Sequence, residues 1–203
     1  MLLSQALLDE RRIEAAAYEA DRAAELEPEW FAVHCQRAAV LFMMQHKKEA
    51  LAAAEQAIAL APQASEPHLL HARILRLMNQ RTVARESLAR ALERNPFSVS
   101  ALAEQGFAAL EAGDLPLVET AARAILELDP TNVDGIVLIG QVQLVRGDTQ
   151  EAQRLALAAL SMNPVDTDAL QLLADVKVKT NPLGGLWWRW NRLIVKLGVS
   201  RAI

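Results

Sequence analysis

Five prolines, Pro28, Pro62, Pro96, Pro130 and Pro164, stand 34 residues apart in a chain of 203. A strict period of this length marks a repeat architecture. One short unit cannot bury its apolar face alone, so copies stack and share a continuous interior. Composition supports this reading. Hydrophobic residues make up 52% of the chain, mostly Ala and Leu, and aromatics only 4%. That balance, with a single cysteine, excludes collagen-like, disulfide-stapled, β-rich and disordered classes. One elongated all-α domain is expected.

Placing each periodic proline at position 32 starts full repeats at residues 31, 65, 99 and 133, with partial ones before 31 and from 167. Small residues then fall into columns. Position 8 reads Ser4, Ala38, Ala72, Gly106, Gly140 and Ala174; position 20 reads Ala16, Ala50, Ala84, Val118 and Ala152. Position 24 reads Ala20, Ala54, Leu88, Ala122 and Ala156, and position 27 reads Ala23, Ala57, Ala91, Ile125 and Ala159. Two helices can approach closely only where side chains are small. Between the columns, apolar residues recur at three- and four-residue spacing, which predicts two amphipathic helices per repeat. The turn between them is at position 15: Arg11, Gln45, Asn79, Gly113 and Gly147. Gly113 and Gly147 are helix stops, and the prolines end each repeat. Ser65, Thr131 and Asp166 read as caps of the helices that follow.

The 34-residue period, the small residues at positions 8, 20 and 27 and the proline at 32 resemble the tetratricopeptide repeat (TPR) family over about residues 1–179. The resemblance implies a right-handed α-α superhelix of about five helix pairs plus a capping helix. The array would cover residues 1–179, with repeats ending near 28, 62, 96, 130 and 164 and a final helix over 166–179. The family's frequent aromatics are replaced at position 4 by His34, His68, Leu102 and Ile136, and at position 11 by Leu41, Leu75, Ala109 and Gln143. It also implies a non-catalytic scaffold that binds a peptide or protein segment on a concave face. That face is lined by positions 2, 5, 9, 12 and 13, and on this chain the groove residues become Phe42, Met43, Leu69, Arg73, Arg76, Leu77, Phe107, Leu110 and Gln141. In the functional reading, an apolar segment lies along the apolar members and Arg73 and Arg76 hold a carboxylate. The structural alternative has the apolar residues packing locally and the arginines pairing with Glu66 and Glu104 in water.

Little else carries chemistry. After Asp175 there are six basic residues and no acidic one, so the net charge of −4 joins an acidic body to a basic tail. An acidic body lacks the clustered cations that nucleic acid requires. His34, His46, His68 and His71 complete no ligand set, so neither metal nor cofactor is expected. Cys35 lies among Ala and Phe and reads as a buried, inert thiol. No phosphate loop, dinucleotide fingerprint or nucleophile elbow is present, and an enzyme is not expected. Arg146-Gly147-Asp148 falls on the periodic turn and reads as structural. The first residues lack a basic leader and no apolar run could span a bilayer, which makes a cytoplasmic protein the expectation.

Residues 180–203 form a separate region. Thr180-Asn181-Pro182-Leu183-Gly184-Gly185 breaks the helix, and a segment holding three of the four tryptophans follows. At helical spacing Leu186, Trp187, Trp190, Leu193, Ile194 and Leu197 share one face and Arg189, Arg192 and Lys196 another, with Trp188 between them. Such a helix reaches about 21 Å, short of the ~30 Å hydrocarbon core. Two readings stay open: it lies on an anionic membrane surface, peripheral to the inner membrane, or it caps the last apolar face of the array. The Trp/Arg-rich stretch is similar to segments that precede membrane spans in bacterial TPR proteins, and this resemblance implies a bacterial protein. A third expectation, homo-oligomers, follows from Leu2, Leu3, Leu7 and Leu8 at the uncapped first helix.

Overall fold

The structure, a computed structural model, describes residues 13–180. Its helices fall between the repeat's marks. They are α1 (Ile13–Leu26), α2 (Phe31–Met43), α3 (Lys47–Leu60), α4 (Ser65–Leu77), α5 (Arg81–Arg94), α6 (Val99–Ala112), α7 (Leu115–Leu128), α8 (Val133–Arg146), α9 (Thr149–Met162) and α10 (Thr167–Thr180). No strand occurs among the described residues, so the fold is all-α, as expected. The chain divides into two compact units, residues 1–104 and 105–203, with the boundary inside α6.

In the N-terminal unit, α2 packs on α1 and α3, α4 packs on α3 and α5, and α2 also meets α4. Alanine columns make these approaches possible. Ala38, Ala50, Ala53 and Ala54 close on Ile74, and Ala16 and Ala20 close on Val40. A third cluster joins Leu69, Ala72, Leu88, Ala91 and Ala101. In the C-terminal unit, α8 packs against α7, α9 and α10. Its core is bulkier: Ile136, Val137, Leu144, Leu172 and Val176 surround Ala152, Ala156, Ala159 and Ala169.

The position-8 glycines show why that column is small. A Cβ on Gly106 would stand 2.5 Å from Leu138 Cδ1, and one on Gly140 would run into Leu172 Cδ2. Leu138 and Leu172 both occupy position 6 of the next repeat and are fully buried. A leucine knob thus seats in a hole that only a small residue leaves open.

The turns repeat with little variation. Position 15 has positive φ in all four described turns: 64° at Gln45, 61° at Asn79, 76° at Gly113 and 96° at Gly147. The next N–H reaches back to the position-11 carbonyl. His46 donates to Leu41, Gln80 to Leu75 and Asp114 to Ala109 at 2.9 Å, and Asp148 to Gln143 at 3.0 Å. This closes the helix with a left-handed stop, and Gln143, polar at a packing position, serves it through its backbone as the others do.

The caps correct one sequence expectation. Ser65 is the first residue of α4, not its cap, and its hydroxyl donates to the Ala91 carbonyl at 2.8 Å. Thr131 donates from N–H and hydroxyl to Asp129 instead. The capping position is 34, one residue earlier than Ser65 suggested: Ser98 and Asn132 accept from the third backbone N–H of α6 and α8. Asp166, at the same position, caps α10 as expected, accepting from Ala169 at 2.8 Å.

Candidate functional site

The first helix of each repeat presents positions 2, 5 and 9 on one face, because spacings of three and four residues return to the same side. In the N-terminal unit these residues line a cavity of about 540 Å³. Ala32, Cys35 and Ala39 come from α2, and Glu66, Leu69 and Arg73 from α4. Gln36, Ser65, Leu70, Asn95, Ser98 and Ser100 complete the wall. The floor is apolar, since Cys35 and Leu69 are buried, while Glu66 is exposed. Burial pushes the Cys35 thiol up to about 12, and the nearby Glu66 carboxylate adds to the effect. The thiol stays protonated at neutral pH and is a weak nucleophile.

Arg73 and Arg76 converge on Glu104. Arg76 Nε donates to Glu104 Oε1 at 2.5 Å, and Arg73 Nε donates to Oε2 at 3.3 Å. Glu104 is 7% exposed, so this is not the pairing in water that the sequence suggested. Glu104 occupies position 6, where other repeats carry Leu70, Leu138 and Leu172. An acid there is tolerated because two guanidinium groups one helical turn apart on α4 neutralise it. Glu66, the other candidate partner, forms no salt bridge among the described residues.

The remaining nominated residues are distributed as follows. Leu69 and Arg73 line the cavity. Phe42 packs on the Ala38 and Ala50 cluster, while Met43 and Leu77, at helix ends, are exposed. In the C-terminal unit Phe107 packs against the Ile136 and Leu172 core, and Leu110 and Gln141 are half-buried. Trp187, Trp188, Arg189, Trp190, Arg192 and Lys196 lie outside the described residues. Sequence reasoning missed Gln36, Asn95 and Ser98 on the cavity wall, whereas Ser100 stands at position 2, which it had assigned to the concave face. The period offered a signal for one of them, since Gln36 shares position 6 with Leu70, which also lines the cavity.

Two of the histidines link helices to the preceding repeat. Nε2 of His34 donates to the Pro28 carbonyl at 2.8 Å, and Nε2 of His68 to Pro62 at 3.0 Å. A carbonyl only accepts, so each Nε2 carries the proton. Position 4 thereby ties each of these helices to the proline ending the previous repeat. His71 Nδ1 meets Ser87 Oγ at 2.8 Å. Burial holds the His71 imidazole below its ordinary value, against an opposing pull from Glu55. No cluster of metal-ligating groups occurs among the described residues, and no helix there is long and apolar enough to cross a membrane.

No protein-family model and no curated protein match the sequence. Solved structures do. The chain is similar to YrrB, a TPR protein with an unusual peptide-binding site, at 21% identity over 83% of this chain and 87% of that one, with a TM-score of 0.57. It is similar to a thermophilic TPR protein of Thermus thermophilus at 18% identity over 88% and 97%, with a TM-score of 0.75. It also matches PilW, a type IV pilus biogenesis factor, at 16% identity over 98% and 93%, with a TM-score of 0.74. The chain therefore has the tetratricopeptide-repeat fold, of the α-α superhelical class.

Proposed function

We propose that the protein is a non-catalytic interaction module whose first-helix faces hold a peptide or helix of a partner protein. One observation carries this reading. Positions 2, 5 and 9 of α2 and α4 enclose a cavity of about 540 Å³ with an apolar floor and a polar rim, the anatomy of a ligand site. Leu69 supplies buried apolar surface, and Arg73 with Arg76 supplies cations whose geometry Glu104 sets. Exposed Met43 and Leu77 extend the apolar surface at the ends of α2 and α4. Phe107, Leu110 and Gln141 are the corresponding positions of the C-terminal unit. The peptide-binding site named for YrrB supports the proposal by likeness of fold.

A random dodecapeptide display library panned on the full chain tests it. Ala39→Trp fills the cavity from its wall, and Leu157→Asp alters an exposed residue of α9 outside it. Selected peptides should lose at least about tenfold in affinity on Ala39→Trp and keep it on Leu157→Asp, with helicity checked by circular dichroism. Peptides that bind a folded Ala39→Trp protein unchanged overturn the reading.

A further inference from the structure

Resting on that reading, we infer that the cavity of the N-terminal unit selects an extended peptide segment carrying a cation and an anion four residues apart with an apolar residue midway. The inference comes from the order of residues along α4. Glu66, Leu69 and Arg73 all line the cavity, at positions 2, 5 and 9. An acid, an apolar floor residue and a base therefore follow one another along a single helix face. Seven residues of helix separate the two positions by about 10.5 Å along the axis.

The two charged ends differ in what already satisfies them. Glu66 is exposed and forms no salt bridge among the described residues, yet its field reaches the floor, where it helps raise the Cys35 thiol. Arg73 shares Glu104 with Arg76 and takes the longer bond, 3.3 Å against 2.5 Å, through Nε alone. Its side chain stays 39% exposed while bordering the cavity. A guanidinium carries five N–H donors, so one engaged edge leaves capacity for a ligand carboxylate.

The floor between these ends is apolar, because Ala32, Cys35, Ala39 and Leu69 line the same cavity. Extended chain rises about 3.3 Å per residue and returns to one face every second residue. A cation, an apolar residue and an anion at alternate positions thus share a face and span about 13 Å. Flexible lysine and glutamate side chains absorb the excess over the helix spacing. Asn95, Ser98 and Ser100 on the rim supply hydrogen-bonding groups for peptide main chain.

Fluorescence anisotropy on the full chain tests this with three end-blocked pentapeptides. The first carries lysine, valine and glutamate at alternate positions with serine between. The second has glutamate at both charged positions, and the third has lysine at both. The first should bind at least about fivefold more tightly than the others. Glu66→Lys, a change at an exposed site, should make the doubly acidic peptide the tightest. Absence of discrimination, or a ranking that Glu66→Lys leaves unchanged, overturns the inference. If display-selected peptides still lose affinity on Ala39→Trp in that case, the groove reading stands and only the charge ladder falls. If they do not, both fall.

Discussion

Repeats 31–98 and repeats 99–166 share one backbone plan and reach it by different local means. In the first pair the left-handed stops are Gln45 and Asn79, residues with a Cβ. The helix-starting residues Trp30, His46, Ala64 and Gln80 give no side-chain cap. In the second pair the stops are Gly113 and Gly147, and Ser98, Asp114, Asn132 and Asp148 all cap. The same turn forms in both. Packing of the small-residue columns therefore sets the turn, and glycine and caps add local stability on top of it. The first pair has instead its histidine links to Pro28 and Pro62. Position 6 adds a contrast inside the second pair, where one repeat buries Glu104 and the next buries Leu138.

The largest test of this contrast moves the acid. Leu138→Glu would bury a carboxylate at position 6 facing Gly106. The preceding repeat offers Phe107 and Leu110 where Arg73 and Arg76 serve Glu104. An unpaired buried charge of this kind costs about 3–5 kcal/mol, read as a lower urea midpoint. A loss below about 1 kcal/mol would show that position 6 accepts an acid without its arginines.

Exchanging the punctuation comes next. Gly147→Ala forces a Cβ into φ 96° and should cost about 1–2 kcal/mol. Gln45→Gly should stabilise by up to about 1 kcal/mol, because it relieves the same conformation. Asp148→Ala removes a cap on Glu151 N–H and should lose about 1 kcal/mol, while Ala64→Asp should gain a similar amount. Thermal melts of the four variants check the signs. A Gln45→Gly protein no more stable than its parent would mean the glutamine side chain compensates its own strain.

The smallest effect is acid sensitivity. His71 is held below its ordinary value by burial, so the folded protein binds fewer protons at this site than the unfolded chain. Its contribution is present above the unfolded pKa of about 6.5 and is lost as pH falls through that value toward the folded one. All four histidines precede residue 105. Hydrogen exchange at pH 7.5 and 5.5 should therefore show protection falling around α4 and α5 more than in α8 and α9, and His71→Gln should reduce the difference. Equal loss in both regions would remove histidine as the cause.

Much of this was legible beforehand, and the misses have physical causes. The columns Ala50, Ala84 and Ala152 announced where helices touch, because only small residues allow the approach. Gly113 and Gly147 announced their turns by residue type, whereas Gln45 and Asn79 could be placed only through the period. The cap was misassigned to Ser65 and Thr131 because a hydroxyl near a helix start does not say which residue is first. Glu104 was read as a solvated partner because an acid is ordinarily exposed. Leu69 and Arg73 were placed on the face that lines the cavity, but its polar wall was not, since Asn95 and Ser98 come from the loop closing a repeat.

The amino-acid sequence by itself determined the helical pairing, its period and the positions where backbones approach, since these follow from residue size and spacing along one chain. Only the tertiary structure decided that Glu104 is buried between two arginines, that His34 and His68 bind proline carbonyls, and that Asn95 and Ser98 join α2 and α4 around one cavity. Those facts depend on residues that stacking brings together from different helices, and burial, unlike periodicity, is a property of the neighbours a side chain acquires.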